Sequence, residues 1–147
     1  MQLEFFQLTS AGDREINQDY LAYIVENDYA LFIVADGLGG HHAGEKASQF
    51  FCQGMLNCAK IYSKKIAVNP IDVFSDWLKD AISEMKVLFG DDPMADKAHT
   101  TCAILYLNDQ LTMTAHCGDS RVYRLNPKEI VWRTRDHSVP RDLLNAG

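Results

Sequence analysis

The pattern of apolar and polar positions predicts strands near both ends of the chain, with helices between them. Apolar runs at residues 2–8, 19–26 and 29–35 predict three strands. The polar pair Asn27-Asp28 between the last two runs predicts a hairpin turn. Because the run at 29–35 lacks alternation, we expect this strand to be buried on both faces.

Two helices are predicted after a glycine-rich break at residues 36–40. Apolar residues recur at three- and four-residue spacing over residues 43–62 and again over 70–89. Asn69 is a typical helix N-cap before a proline, and Gly90 is a typical helix stop. The second helix therefore has predicted boundaries at both ends.

Four further strands and a short terminal helix are predicted after a polar loop. The strands are expected at residues 100–107, 110–117, 122–125 and 129–132, and the helix at 140–145. Strands and helices are segregated along the chain rather than alternating. This order favours an α+β fold with an antiparallel sheet.

The charge balance excludes some classes of function. Lys and Arg number 14 against 20 Asp and Glu, for a formal net charge of -6. A dedicated nucleic-acid binder carries a basic face, so we expect no nucleic-acid partner. The N-terminal residues lack the basic and apolar regions of a secretory signal, and no apolar run is long enough to span a bilayer. These features predict a cytoplasmic protein without a membrane partner.

The cysteine spacing does not indicate a zinc site. Cys52, Cys58, Cys102 and Cys117 form no CxxC pair. We therefore expect buried free thiols in a reducing cytosol.

Candidate chemistry centres on two carboxylates. Asp36 ends the predicted buried strand, and a carboxylate followed by the Gly37 carbonyl suits a hard cation such as Mg²⁺ or Mn²⁺. In an antiparallel hairpin the start of the first strand lies beside the end of the second. Asp19, at the start of its strand, should therefore neighbour Asp36. Two such carboxylates repel each other unless a cation or a proton neutralises them. The alternative is that Asp36 only caps the following helix.

Two further clusters carry weaker signals. Arg14 is a candidate phosphate clamp, because a guanidinium binds oxyanions bidentately, although its cluster is also compatible with a solvated loop. Residues 118–121 predict a tight turn with an exposed ion pair. Ser120 is not in a GxSxG nucleophile elbow, which argues against a hydrolytic triad.

Taken in order along the chain, five segments resemble motifs of the metal-dependent (type 2C) serine/threonine protein phosphatase family, with the residues typical of its bacterial branch. They are Gly12-Asp13-Arg14 with Asn17-Gln18-Asp19, the run from Val34 to His41, Thr100-Thr101, the run from Gly118 to Arg124, and Thr134-Arg135-Asp136-His137-Ser138. The resemblance implies two antiparallel sheets sandwiched between helix pairs, in α-β-β-α layers.

The resemblance also implies a two-metal centre at one end of the sandwich. Asp36 would bridge two Mn²⁺ or Mg²⁺ ions, and Asp19 and the Gly37 carbonyl would serve one of them. Asp119 matches a position linked to a third, weaker metal site. The implied reaction is hydrolysis of phosphoserine and phosphothreonine in proteins through a metal-bridging water, without a phosphoenzyme.

Other implied roles concern the substrate and its surroundings. Arg14 would hold the substrate phosphate, and His41 is the candidate counterpart of a general acid, since Leu38 stands where other members often have His. Thr100-Thr101 and the rest of the 118–121 turn are expected to be structural. The implied partner is a phosphorylated protein in a Ser/Thr kinase pathway.

The chain departs from the family pattern in its length. Family domains carry two further metal-binding aspartates, in Ser-Asp-Gly and Asp-Asn motifs that these 147 residues do not contain. We therefore expect residues 1–147 to be the N-terminal portion of a type 2C catalytic domain, with the sandwich incomplete at its C-terminus. The alternative is a catalytically deficient module that binds a phosphoprotein or partner, and missing strands would leave open edges for self-association.

Overall fold

Strands and helices follow one another largely as the sequence predicts. The computed structural model describes residues 1–40 and 42–137, so His41 and the predicted helix at 140–145 lie outside the described residues. The helices are α1 (Ala43–Ser63) and α2 (Pro70–Phe89), followed by a 3₁₀ turn at Ala95–Lys97. The strands are β1 (Asp19–Val25), β2 (Tyr29–Leu38), β3 (His99–Thr100), β4 (Cys102–Asn108), β5 (Thr112–Cys117), β6 (Tyr123–Leu125) and β7 (Ile130–Arg133).

The strands form antiparallel sheets, which confirms the predicted α+β class. The main sheet has the order β1-β2-β4-β5, with the short β3 paired to the end of β2. Strands β6 and β7 pair only with each other among the described residues. The predicted single strand at 100–107 is interrupted only at Thr101, and β3 and β4 pair with β2 in the same continuous register.

Both predicted ends of α2 are confirmed. The side chain of Asn69 accepts a hydrogen bond from the backbone N–H of Asp72 at 3.4 Å. Gly90 ends the helix with φ 56°, and its N–H donates to the carbonyls of Lys86 and Val87. Positive φ is accessible to glycine without steric cost, so a helix stop at this residue has a direct physical cause.

The core lies between the main sheet and the two helices. Trp77 of α2 is fully buried, and its indole N–H donates to the carbonyl of Met55 at 2.9 Å. Its ring meets Tyr106 of β4 edge-to-face at 6.0 Å between centroids. This contact places α2 against the sheet as well as against α1.

The opposite face of the sheet, which we call the outer face, is less covered than the sequence predicts. Leu31, Ile33 and Ala35 of β2 are buried towards the helices, whereas Val34 is 44% exposed on the outer face. The prediction that β2 is buried on both faces is therefore wrong at Val34, although Ala30 on the same face is fully buried. An unbroken apolar run does not by itself show which layers cover it.

The predicted strand at residues 2–8 is also wrong. This segment has no strand pairing, and Phe6 is 95% exposed. Phe5 instead packs its ring on Tyr23 and Phe32 of the outer face, with centroid distances of 4.6 and 5.4 Å. Side-chain contacts of this kind need no backbone ladder.

Two further sequence predictions can be compared with the fold. All four cysteines are free, but only Cys52 and Cys102 are buried, and Cys117 is exposed. Neither described helix has the combined length and hydropathy needed to cross a bilayer.

We predict that Gly54→Ala destabilises the fold by about 1–3 kcal/mol, the usual cost of overpacking. A Cβ on Gly54 would lie 2.5 Å from the backbone carbonyl oxygen of Ala81, where α1 and α2 cross. Urea denaturation would measure the effect. Gly40→Ala is the matched control, because no atom lies within 4 Å of its added Cβ. Equal stability of the two variants would contradict the close helix contact.

Candidate metal centre

Strand pairing brings the two candidate carboxylates together. In the β1–β2 register Asp19 lies directly opposite Asp36, which confirms the predicted neighbourhood. Facing residues of an antiparallel pair project from the same side of the sheet. Since Leu31, Ile33 and Ala35 face the helices, alternation puts Asp19 and Asp36 on the outer face, at one end of the sheet.

Two hydrogen bonds with Thr101 hold the backbone of Asp36. The N–H of Thr101 donates to the Asp36 carbonyl at 2.8 Å, and the N–H of Asp36 donates to Thr101 Oγ1 at 3.1 Å. Thr101 Oγ1 also lies 2.5 Å from Ser120 Oγ. These bonds give Thr101 and the 118–121 turn the structural role predicted for them. The helix-cap alternative for Asp36 is wrong, because Asp36 lies inside β2 and the N-cap of α1 is His42.

Gly37 faces the helix side, where only a glycine fits. A Cβ at this position would lie 1.8 Å from the carbonyl oxygen of Gly44 in the first turn of α1. The N–H of Gly37 donates to the carbonyl of Gln18 at 3.0 Å. The close approach of α1 and β2 therefore accounts for glycine at this position, and no ligand is needed to explain it.

Two positioning residues escaped the sequence prediction. Ser48 of α1 is fully buried, and its hydroxyl donates to the carbonyl of Gln18 at 2.6 Å. The side-chain amide of Gln18 donates to the carbonyl of Gly39 at 2.8 Å. Ser48 thus ties the residue before Asp19 to α1. A hydroxyl on the otherwise apolar face of α1 was the available sequence signal.

The electrostatic surroundings of Asp36 disfavour its ionised form. Partial burial raises the pKa of Asp36, and the hydrogen bond with Asp19 and the charges of Asp19 and Asp119 raise it further. The charge of Arg14 acts in the opposite direction. Arg14 and Asp119 are both exposed, so they act on Asp36 across partly solvated space. The carboxylate pair consequently favours a proton or a cation beside it.

The donor set fits a hard divalent cation in kind, but not in number. Carboxylate and carbonyl oxygens are the ligands that Mg²⁺ and Mn²⁺ prefer, and Asp19, Asp36 and the Gly37 carbonyl supply such oxygens. Within residues 1–40 and 42–137, however, no three His, Cys, Asp or Glu side chains lie close enough to hold a metal ion. Asp119 therefore influences Asp36 through its charge without completing a ligand cluster.

The 118–121 turn is held by contacts with residues 136 and 137. Gly118 has φ 88°, and its carbonyl accepts the N–H of His137 at 2.9 Å. Arg121 donates from Nε and Nη2 to the two carboxylate oxygens of Asp136 at 2.8 and 2.7 Å. The ion pair expected within the turn is replaced by this pair with Asp136, which joins the turn to a distant segment.

We predict that Asp36→Asn stabilises the metal-free protein at pH 7 by up to about 1 kcal/mol, a small effect because the pair is partly solvated. A raised carboxyl pKa in the folded state makes a stabilising contribution below its ordinary value of 3.8, which is lost as the pH rises through the folded-state pKa. The neutral amide removes this loss, so the difference should shrink towards about pH 4.

Denaturation in a chelator at several pH values would measure this difference. Asp96→Asn, at an exposed position in the 3₁₀ turn outside β1 and β2, is the control and should change little. Destabilisation of Asp36→Asn at pH 7 would show that the facing carboxylates do not repel each other.

Comparison with known proteins relates this site to a family. A family model described as Protein phosphatase 2C matches residues 10–137. Protein phosphatase PhpP of Streptococcus pneumoniae is 33% identical over 149 aligned residues, covering 99% of this chain and 59% of the relative. The chain therefore spans less than two thirds of that relative's length.

Solved structures share the fold. The Mycobacterium tuberculosis serine/threonine phosphatase PstP/Ppp superposes with a TM-score of 0.72 at 24% identity, covering 91% of this chain and 54% of that one. The catalytic domain of PstP, solved in complex with two manganese ions, gives a TM-score of 0.69 at 24% identity, covering 91% and 55%. On the family match and the sequence relationship, the chain belongs to the protein phosphatase 2C family.

Proposed function

We propose that the chain is part of a metal-dependent phosphatase that hydrolyses phosphoserine and phosphothreonine in proteins. The observation that carries the proposal is the facing pair Asp19–Asp36, next to the Gly37 carbonyl, in a chain of this family. These oxygens suit Mn²⁺ or Mg²⁺, and the catalytic domain of PstP was solved in complex with two manganese ions.

The proposed roles follow from the position of each residue. Asp36, Asp19 and the Gly37 carbonyl would hold the metal ions, and Asp119 would serve the weak third site. When bound, the metals supply an activated water and neutralise charge on the phosphate. The exposed guanidinium of Arg14 would bind phosphate oxygens and orient the phosphorylated side chain. A catalytic role for His41 stays a prediction.

We infer that residues 1–147 correspond to the N-terminal portion of a type 2C catalytic domain. The alignment takes in almost the whole chain but only 59% of PhpP, which supports this inference. The two described carboxylates would then be completed by ligands from the remainder of such a domain. A phosphorylated protein in a kinase pathway is the proposed partner, and the cytoplasm the proposed location.

The binding-module alternative is not favoured. The relatives that match are named as phosphatases, and the facing carboxylates supply oxygen ligands of the kind that a catalytic metal centre needs. A phosphate-binding module would need Arg14 but no facing acidic pair.

We predict that Mn²⁺-dependent hydrolysis of p-nitrophenyl phosphate and phosphothreonine peptides depends on Asp36. The assay compares this chain with a version extended at its C-terminus to the length of the relatives. Asp36→Asn should lower kcat at least about a hundredfold, because a charged ligand is lost. Arg14→Ala should instead weaken substrate binding by about 1.5–3 kcal/mol, the scale of a charge-assisted hydrogen bond.

Asp96→Asn is the control for the loss of one negative charge. A folded, extended protein that binds Mn²⁺ but does not hydrolyse phosphothreonine peptides would contradict the proposed function.

We also predict that the isolated chain self-associates. In the described part of the chain, β1 and β5 each pair on one side only, and unpaired strand edges promote association. Light scattering over a concentration series would measure the mass. A monomer at all concentrations would argue that these edges are protected.

A further inference from the structure

We propose that Cys102 and Cys117 form a reversible modification site, which a hydroperoxide oxidant converts into a disulfide between β4 and β5. The pair lies outside the proposed metal ligands, and the proposal does not depend on phosphatase activity. It rests on strand register, on unequal exposure of the two thiols and on the edge position of β5.

The register places the two cysteines directly opposite each other. Cys102 pairs with Cys117 at one end of an uninterrupted ladder that runs to Leu107 and Thr112. At the hairpin end the N–H of Asn108 donates to the carbonyl of Leu111 at 2.9 Å. Hydrogen-bonded and non-hydrogen-bonded pairs alternate along an antiparallel ladder. Counted from the Asn108–Leu111 pair, Cys102 and Cys117 form a hydrogen-bonded pair, for which the usual Cα separation is about 5.5 Å. Disulfides span Cα separations of about 4.4–6.8 Å.

The two side chains project from the same face of the sheet. Ile104 and Tyr106 of β4 belong to the core, and alternation puts Cys102 beside them. Met113 and Ala115 of β5 pack against the same core, which puts Cys117 on the same side.

The edge position of β5 allows the remaining approach. Cβ atoms of facing residues lie about 4.5–5.5 Å apart, whereas those of a disulfide lie about 3.5–4.5 Å apart. Strand β5 is paired only to β4 among the described residues, so the shift of about 1–2 Å that a hydrogen-bonded pair needs at its end breaks no second ladder.

Exposure gives the two thiols different roles. Cys117 is exposed and accessible to an oxidant, while Cys102, the residue facing it on β4, is buried. Burial also raises the pKa of Cys102 to about 11, so this residue remains a thiol and does not attack the oxidant first. Cys52 is fully buried in α1, and Cys58 is the only other cysteine with solvent access in the described chain.

The chemistry proceeds in two balanced steps. The Cys117 sulfur attacks one oxygen of hydrogen peroxide, the O–O bond breaks, and a sulfenic acid and one water form. The Cys102 sulfur then attacks the Cys117 sulfur, an S–S bond replaces the S–O bond, and the hydroxyl leaves as a second water with the thiol proton. Two thiols are oxidised and one peroxide is reduced.

The location gives the disulfide structural consequences. Cys102 follows Thr101, which holds the backbone of Asp36 through two hydrogen bonds. Cys117 precedes Gly118, where an added Cβ would lie only 2.6 Å from Thr101 Cγ2. The cross-link would therefore join two backbone segments that are already in close contact beside the candidate metal centre.

The test treats the reduced 147-residue chain with a small excess of hydrogen peroxide, blocks remaining thiols with N-ethylmaleimide, and maps peptides by mass spectrometry without reduction. We expect a linked pair of peptides carrying Cys102 and Cys117 with the loss of two hydrogens, reversed by dithiothreitol. Cys117→Ser and Cys117→Ala should abolish the link, and Cys58→Ser is the matched control that should retain it. Circular dichroism establishes that each variant is folded.

Other products would overturn the proposal. These are a link between Cys52 and Cys102, links only between molecules, or Cys117 oxidised to sulfinic acid while Cys102 remains alkylated. Retention of a Cys102 disulfide in folded Cys117→Ala would do the same.

Discussion

The repulsion between Asp19 and Asp36 is the constraint around which this end of the molecule is organised. Backbone pairing, not side-chain attraction, holds the two carboxylates on one face of the sheet. The energetic cost of this repulsion appears as a raised pKa of Asp36. Hydrogen bonds of the neighbouring backbone, rather than of the carboxylates, offset this cost. Thr101 anchors the peptide groups on both sides of Asp36, and Gln18 anchors the N–H of Gly37. An unfavourable interaction of this kind is typical of positions kept for function rather than for stability.

The helix layer and the carboxylates are parts of one arrangement. Gly37 lets the first turn of α1 approach β2 until no Cβ would fit, and Ser48 on α1 reaches the carbonyl before Asp19. Successive side chains of β2 alternate between the two faces of the sheet. Gly37, which contacts α1, and Asp36, which carries the acidic group, are therefore adjacent in sequence and on opposite faces. Packing of α1 against Gly37 and Gln18 therefore fixes the position of the acidic pair on the other side of the sheet.

The sequence predicts those features that short-range physics determines. The turn at Asn27-Asp28 is enough to place Asp19 opposite Asp36, and the cap at Asn69 and the stop at Gly90 set the ends of α2. Features that depend on tertiary context were predicted wrongly or not at all. Residues 2–8 have the apolar content of a strand, but their ring contacts replace a ladder. The carbonyl of Gln18 is a key acceptor, and a backbone carbonyl has no signature in the sequence.

A proton and a divalent cation would compete for the same carboxylate oxygens of Asp19 and Asp36. With burial and two neighbouring acidic groups raising its pKa, Asp36 takes up a proton more readily than an ordinary aspartate. A divalent cation has to displace that proton, so cation binding at the pair weakens as the pH falls. Arg14 lowers the pKa of Asp36, yet its positive charge also repels a cation. Its exposed position limits this conflict, because solvent screens the repulsion between the guanidinium and a bound cation.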